Sequence, residues 1–303
     1  MMKSGKGHVD VEARRFCAKL ILFGEYSMIY DAASLLMPYD AYGGCWAYGL
    51  DTDAARHSNA SLRDYYDFLV EDGFSTSLDL GSMSVDLDEG LWFRSDIPMG
   101  YGLGSSGALV AAVYHRYSLR PLDDLSALKS LLSAMECYFH GKSSGNDPLL
   151  SYINQPYVQL TSSEIQLLPR DFIPDDIFIF LIDTQASKQT SQLVSYFNEQ
   201  RTNASYLDGF SNNYLPMVRS CINTLICRDK HAFFTSLRRL SEMQLEFLNP
   251  MIHPSVLPLF AVDTAFHFGV KILGSGGGGF ALGFTDNKSL ANNLLKEYKV
   301  IWL

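Results

Sequence analysis

Long apolar runs are absent from this 303-residue sequence. The longest strongly apolar run covers residues 177–182, and a membrane-spanning helix needs about 20 apolar residues. The first sixteen residues are polar and carry charges of both signs, which is not the pattern of a secretory leader. We therefore expect a cytoplasmic protein without a membrane partner.

Paired cysteines and basic runs are also missing. The five cysteines, at positions 17, 45, 137, 221 and 227, form no Cys-x-x-Cys pair, which predicts free thiols rather than a disulfide framework or a zinc knuckle. The 24 Lys and Arg residues and 33 Asp and Glu residues give a net charge of −9, which disfavours a nucleic-acid partner. A phosphate ligand is still compatible with this charge, because backbone N–H groups and one or two lysines bind phosphate locally.

The first part of the chain is rich in predicted strands. A turn at Gly43-Gly44 is predicted to separate two of these strands, and Pro98 is predicted to end another. Residues 56–72 fit a helix or an irregular excursion. The predicted strands are residues 16–23, 32–38, 43–50 and 91–97.

Helical periodicity dominates later in the sequence. Apolar residues spaced by three and four predict a helix from an Asp123 or Asp124 cap to about residue 139, ended by Gly141, with Glu136 at the margin of the apolar stripe. A strand over 177–182, two strands over 270–273 and 280–284, a helix after the second of these, and a final β-strand over 300–303 complete the pattern. This order predicts an α+β fold with two lobes. The other predicted helices are 108–113, 187–200, 206–228, 230–248 and 255–268.

A glycine-rich loop precedes one of these helices. Residues Gly100 to Gly107 read Gly-Tyr-Gly-Leu-Gly-Ser-Ser-Gly, which would direct several N–H groups from a helix N-terminus towards an anion. The loop also fits Gly-x-Gly-x-x-Gly. A dinucleotide site is disfavoured, because Pro98 intervenes and Asp123 and Asp124 begin a helix instead of ending a second strand. A tight turn without a ligand is the simpler alternative.

A second glycine cluster, Gly274 to Gly279, lies between two predicted strands. Strands on both sides predict a tight connection rather than a flexible linker, and the choice between a packing role and a ligand role stays open. We call this segment the second glycine loop.

Two further segments complete a recognisable set. One runs from Lys19 to Gly24-Glu25-Tyr26-Ser27, and the other contains Glu136 and then His140-Gly-Lys-Ser-Ser-Gly-Asn-Asp147. Together with the two glycine loops, in this order, they resemble the GHMP kinase superfamily. Within it the chain is most similar to the mevalonate kinases, whose helix glutamate precedes the base aspartate by eleven residues, as Glu136 precedes Asp147.

The resemblance implies a fold and an activity. It implies a β-rich N-terminal lobe with the character of ribosomal protein S5 over residues 1–165 and a helix-rich α/β lobe over 166–303, with ATP and the acceptor in the cleft between them. The implied reaction is ATP-dependent phosphorylation of a small-molecule alcohol, mevalonate to 5-phosphomevalonate. A monomer or a homodimer is expected.

The resemblance also implies roles for individual residues. Asp147 would be the catalytic base, with Lys19 beside it, and Mg²⁺ would be bound by Glu136 and by Ser106 or Ser105. Acceptor contacts would come from Glu25, Tyr26, Ser144 and Gly145. The implied nucleotide contacts are Gly100, Gly102, Leu103, Gly104, Ser105, Ser106, Gly107, Gly276, Gly277 and Gly278.

The sequence departs from the family pattern at several positions. Cys17-Ala18 stands where Pro-Gly is usual, Gly107 stands for Ala, and Pro148 follows the base aspartate where Asn is common. Tyr26 replaces the common His, which leaves the acceptor open. The alternatives are another GHMP kinase, acting on phosphomevalonate, another hydroxy acid or a sugar, and a catalytically silent GHMP scaffold.

Overall fold

The structure is a computed structural model that describes residues 14–186 and 190–303. The described residues fall into two compact units. The first unit contains residues 14–19, 38–98 and 104–154, and the second contains 20–37, 99–103, 155–186 and 190–303. The two-lobe prediction assigns residues 20–37 and 99–103 to the first lobe, whereas in the structure they group with the second unit.

The long strand β2 (Ser34–Tyr48) corrects one sequence prediction, because it is continuous where two strands and a Gly43-Gly44 turn were expected. A Cβ on Gly43 would lie 2.8 Å from the carbonyl oxygen of Phe16, and one on Gly44 would lie 2.3 Å from the Phe93 ring. These glycines therefore allow close approach of neighbouring groups instead of a turn. The strand β1 (Phe16–Phe23) pairs with β2. The strand β3 (Leu91–Ser95) also pairs with β2, and this pairing is antiparallel.

Three of the five helices in the first unit have a side-chain N-cap, supplied by Thr52, Asp79 and Asp124. The predicted amphipathic helix is present, with Asp124 accepting the N–H of Ala127 at its start and Gly141 at its end. A nine-residue helix that the sequence analysis missed precedes β3. The five helices are α1 (Asp53–Glu71), α2 (Leu80–Asp88), α3 (Ser105–Tyr117), α4 (Leu125–His140) and α5 (Asn146–Ile153).

Two antiparallel arrangements of strands occur in the second unit. Residues 34–36 of β2 pair with β4 (Tyr157–Thr161), which pairs with β5 (Glu164–Leu167), and the sequence analysis missed both β4 and β5. A separate sheet has the order β7-β8-β6-β9. Its strands are β6 (Phe178–Asp183), β7 (Phe268–Ile272), β8 (Phe280–Thr285) and β9 (Lys299–Trp302).

Most helices of the second unit match the predicted segments, but the one predicted over 206–228 is divided into two α-helices by a π-helical turn at Phe210–Tyr214. The helix predicted over 255–268 is wrong: the chain forms only a 3₁₀ turn at Leu257–Ala261 and then enters β7. The chain leaves the helical region at Val262 (φ −68, ψ 130), and the next residues include Asp263 and Thr264, which have low intrinsic helix propensity. Residues 187–189 of the helix predicted over 187–200 lie outside the described residues. The helices are α6 (Thr190–Gln200), α7 (Ala204–Gly209), α8 (Leu215–Ile226), α9 (Lys230–Phe247) and α10 (Lys288–Leu294).

Within residues 14–186 and 190–303, no helix combines the length and the apolar character needed to cross a membrane. All five cysteines are free thiols.

Candidate active site

The first unit brings Lys19 and Asp147 together. Lys19 extends from β1, and Asp147 lies in the first turn of α5. The Lys19 Nζ atom is 2.9 Å from the Asp147 Oδ1 atom, with the Lys19 side chain 7% exposed and the Asp147 side chain 25% exposed. The lysine is thus enclosed while the carboxylate keeps a surface that a ligand can reach.

Glu136, in the last turn of α4, is bonded by two hydroxyl groups. Ser106 Oγ donates to Glu136 Oε1 at 3.0 Å, and Ser143 Oγ donates to Oε2 at 2.5 Å. Glu136 is only 3% exposed, whereas the sequence placed it at the margin of the buried stripe. Burial, and to a smaller extent the nearby charge of Asp147, raise the pKa of Glu136 to about 7, although hydrogen bonds from the two hydroxyl groups oppose this shift.

His140 joins the same cluster. Its Nε2 atom lies 3.0 Å from Ser106 Oγ. Because the single proton of Ser106 is donated to Glu136, the bond to His140 requires Nε2 to be the donor. The sequence analysis assigned no role to His140 or Ser143, although His140 follows Glu136 by one helical turn and the spacing could have indicated the contact.

The start of α3 lies directly against the Lys19–Asp147 pair. Gly104 has φ +75, and a Cβ there would lie 2.8 Å from Lys19 Cγ and 3.3 Å from Asp147 Oδ2. A Cβ on Gly107 would lie 2.7 Å from Asp147 Cβ. Only glycine fits either position without a shift of these neighbours. Ser105 and Ser106 are the first residues of α3, so the predicted phosphate-binding helix N-terminus adjoins the predicted base.

The turn before Asp147 is held by its own side chains. The N–H of Gly145 donates to Ser143 Oγ at 2.9 Å, and the N–H of Asn146 donates to Ser144 Oγ at 3.4 Å. Gly145 has φ +72, and a Cβ there would lie 2.4 Å from the Lys129 carbonyl oxygen. Ser144 and Gly145, the predicted acceptor contacts of this unit, therefore shape the turn that presents Asp147.

Other predicted site residues belong to the second unit. Glu25 is buried and bonds to Lys271, which the sequence analysis did not single out, while the Tyr26 hydroxyl donates to the carbonyl of Ser275. In the second glycine loop, the N–H of Gly277 donates to the Met251 carbonyl at 2.6 Å. Gly276 and Gly277 have φ of +71 and +75, which explains the need for glycine there.

A cavity of about 530 Å³ lies elsewhere in the second unit. Its polar lining groups are engaged with protein atoms, as in the 2.8 Å pair of His267 and Asp286 and the 3.3 Å pair of Arg238 and Asp263. None of the predicted site residues lines it. The predicted site residues and this cavity are therefore separate.

Residues 74–154 match the family model described as GHMP kinases N terminal domain. The matched segment includes Gly104, Ser106, Glu136 and Asp147. The match covers this segment only, so it shows that residues 74–154 are similar to the N-terminal domain of GHMP kinases. None of the curated proteins compared with this chain matches it significantly.

Solved structures of three small-molecule kinases share their fold with almost the whole chain. Streptococcus pneumoniae phosphomevalonate kinase in complex with phosphomevalonate and AMPPNP has 15% identity and a TM-score of 0.68, with 96% of this chain and 99% of that chain covered. L. major mevalonate kinase in complex with R-mevalonate has 15% identity and a TM-score of 0.64, with 98% and 93% covered. Lactococcus lactis galactokinase complexed with galactose has 12% identity and a TM-score of 0.57, with 95% and 91% covered. The predicted α+β GHMP kinase fold is confirmed.

Proposed function

We propose that this chain is a GHMP kinase that transfers the γ-phosphoryl group of ATP to the hydroxyl of mevalonate, forming 5-phosphomevalonate. The observation that carries the proposal is the Lys19–Asp147 pair lying against Gly104 at the start of α3. A base, a cation and a helix N-terminus within contact distance are the parts that phosphoryl transfer needs. Fold similarity to kinases crystallised with R-mevalonate and with AMPPNP supports the acceptor and the donor.

The nucleotide would be bound chiefly by backbone groups. The N–H groups at the start of α3 carry the positive end of the helix dipole, and Gly104 allows them to approach a phosphate without a side chain in between. Leu103 is 1% exposed, so it would contribute its backbone rather than its side chain. The full set of proposed nucleotide contacts is Gly100, Gly102, Leu103, Gly104, Ser105, Ser106, Gly107, Gly276, Gly277 and Gly278.

Asp147 would orient the acceptor and receive its proton. The acceptor oxygen forms a bond to the γ-phosphorus while the bond from phosphorus to the β,γ-bridging oxygen breaks, and ADP leaves with that oxygen. The hydroxyl proton passes to the Asp147 carboxylate. The Lys19 ammonium offsets negative charge on the transferring group. Ser144 and Gly145, in the turn before Asp147, are the proposed acceptor contacts in the first unit. The sequence also predicted Glu25 and Tyr26 as acceptor contacts, but both side chains are buried and bonded within the second unit, so they are not proposed to contact the acceptor.

Ser106 and Glu136 fit a magnesium ion. They are oxygen donors of the kind that Mg²⁺ prefers, and Ser106 Oγ lies 3.0 Å from Glu136 Oε1. In the described part of the chain, no group of three or more His, Cys, Asp and Glu could hold a metal, but Mg²⁺ commonly takes one or two carboxylates together with water and substrate phosphates. Bound magnesium would neutralise charge on the ATP phosphates.

Phosphomevalonate is the second candidate acceptor, because the phosphomevalonate kinase complex aligns with a TM-score of 0.68, against 0.64 for the mevalonate kinase complex. The test is ADP release with MgATP against mevalonate, phosphomevalonate, homoserine and galactose. Turnover with mevalonate alone supports the proposal, and turnover with phosphomevalonate alone replaces it by the second candidate. Nucleotide binding without turnover of any acceptor would favour the silent scaffold.

A further inference from the structure

The segment Gly24–Tyr26, directly after β1, has a backbone conformation that neighbouring groups must hold. Gly24 has φ +107, and a Cβ there would lie 2.4 Å from Ser34 Cβ. Tyr26 has φ +63, in the left-handed region that residues other than glycine rarely adopt. Strain of this kind persists only where surrounding contacts determine the conformation.

Glu25 supplies one of those contacts. Its carboxylate accepts a hydrogen bond from Lys271 Nζ at 2.5 Å, with the two side chains 1% and 0% exposed. Lys271 Nζ also donates to the carbonyl of Ile272. Burial lowers the pKa of the Lys271 amine, and the Glu25 carboxylate opposes that shift. Because an unpaired buried charge is strongly destabilising, the pair ties the end of β7 to Gly24–Tyr26.

Tyr26 supplies a second contact a few residues further along. Its hydroxyl donates to the Ser275 carbonyl at 2.8 Å, and its ring centroid lies 4.4 Å from that of Phe197. The residue is only 7% exposed, so little of it is available to a ligand. A hydroxyl has one proton, and in Tyr26 that proton is used inside the protein.

The second glycine loop, which follows β7, is thus held from both ends. At its start are the contacts from Glu25 to Lys271 and from Tyr26 to Ser275. At its end, the N–H of Gly279 donates to the Ala186 carbonyl at 2.7 Å. Without such contacts, a run of glycines would sample many backbone conformations.

We propose that Glu25 and Tyr26 are positioning residues for the second glycine loop: Glu25 acts through Lys271, and Tyr26 acts through the Ser275 carbonyl. They keep the loop in one conformation for nucleotide binding. This inference rests on the proposed kinase function. In this proposal Glu25 and Tyr26 affect nucleotide binding by holding the second glycine loop, instead of contacting the acceptor as the sequence predicted.

The first test measures hydrogen exchange of the Gly274–Gly279 amides in the nucleotide-free protein. Tyr26→Phe removes only the hydroxyl, and the matched control is Tyr206→Phe, because the Tyr206 hydroxyl donates to the Phe247 carbonyl at 2.9 Å in the same unit. We expect Tyr26→Phe to accelerate exchange of these amides roughly three- to tenfold, the size expected for one net hydrogen bond, and Tyr206→Phe to leave them unchanged. Unchanged exchange in Tyr26→Phe would overturn the role of Tyr26.

Glu25→Gln tests the other half of the proposal. The amide keeps an oxygen acceptor for Lys271 but removes the negative charge, so we expect faster exchange of the same Gly274–Gly279 amides. If Glu25→Gln folds and leaves their exchange unchanged, the role of Glu25 is overturned.

The second test separates positioning from acceptor contact. We expect Tyr26→Phe to raise KM for MgATP roughly three- to tenfold, while kcat and KM for the acceptor stay within about twofold, since a loop that binds ground state and transition state alike changes only KM. A rise in KM for the acceptor alone would mean that the hydroxyl contacts the acceptor, which overturns the proposal. If the wild type turns over no acceptor, the proposed function fails, and exchange together with AMPPNP titration still decides whether Tyr26 holds the loop.

Discussion

The ammonium group of Lys19 lies 2.9 Å from the carboxylate of Asp147, although one residue extends from the first strand and the other begins the fifth helix. The pair places a cation beside the only carboxylate that the proposed mechanism uses as a base. Lys19 can then offset charge on the transferring phosphoryl group while the adjacent Asp147 takes the acceptor proton.

Asp147→Asn should abolish most turnover. The amide keeps the size of the side chain but cannot take the acceptor proton, so we expect kcat to fall about 10²- to 10⁴-fold in an ADP-release assay. Asp176→Asn is the matched control, since Asp176 is an exposed aspartate paired with Lys230 at 2.6 Å. Wild-type kcat in folded Asp147→Asn protein would show that Asp147 is not the base.

Ser106→Ala should weaken magnesium binding at the site. The Ser106 hydroxyl bonds to Glu136, so its removal takes away one oxygen donor and leaves the carboxylate less fixed. We expect the Mg²⁺ concentration for half-maximal activity to rise about tenfold, as for other changes that disturb ligand orientation. Ser105→Ala is the neighbouring control, and a larger effect in that variant would reassign the magnesium serine.

Glu136→Gln should stabilise the metal-free protein at neutral and alkaline pH. The pKa of Glu136 is raised from 4.5 to about 7 by burial, so between these values the folded state binds more protons than the unfolded state. The contribution of Glu136 to the free energy of unfolding is fully present below pH 4.5. It falls by about 3 kcal/mol as the pH rises to 7. The stability advantage of Glu136→Gln should therefore grow over this range.

The measurement for Glu136 is urea unfolding of both proteins at several pH values without Mg²⁺. Glu71→Gln, at the exposed end of α1, is the matched control because its carboxylate lies in water. If the difference in free energy of unfolding between the wild type and Glu136→Gln stays constant across this pH range, the effect of burial on the pKa of Glu136 is contradicted.

Gly104→Ala should damage both stability and nucleotide binding. The added Cβ would lie 2.8 Å from Lys19 Cγ at a φ of +75, so backbone strain and a clash combine. Gly73→Ala separates the two effects, because Gly73 has φ +80 with nothing within 4 Å of the added Cβ. We expect a loss of about 1 kcal/mol for Gly73→Ala and a clearly larger loss for Gly104→Ala.

Nucleotide affinity gives the second readout for Gly104. AMPPNP titration should show binding weakened in Gly104→Ala and unchanged in Gly73→Ala. Equal affinities in the two variants would place the nucleotide away from the start of α3.

The sequence analysis succeeded where the signal was local. The helix α4 follows from apolar residues every three or four positions, an aspartate cap and a glycine stop, all of which act within one or two turns. The analysis failed where one residue type has two structural roles, since glycine occurs both in turns and at close contacts inside strands. Gly43 and Gly44 were interpreted as a turn, but they lie inside β2, where small size matters because Phe16 and Phe93 are close.

Sequence by itself determined the family resemblance, the glycine positions and the residues that could carry the chemistry, because motifs and helical periodicity depend on neighbours along the chain. Only the tertiary structure decided that Lys19 contacts Asp147, that Glu136 is buried between two hydroxyl groups, and that Glu25 and Tyr26 bond to the strand and loop around the second glycine cluster. These contacts join residues far apart in sequence. They arise from the packing of whole strands and helices, which no local pattern specifies.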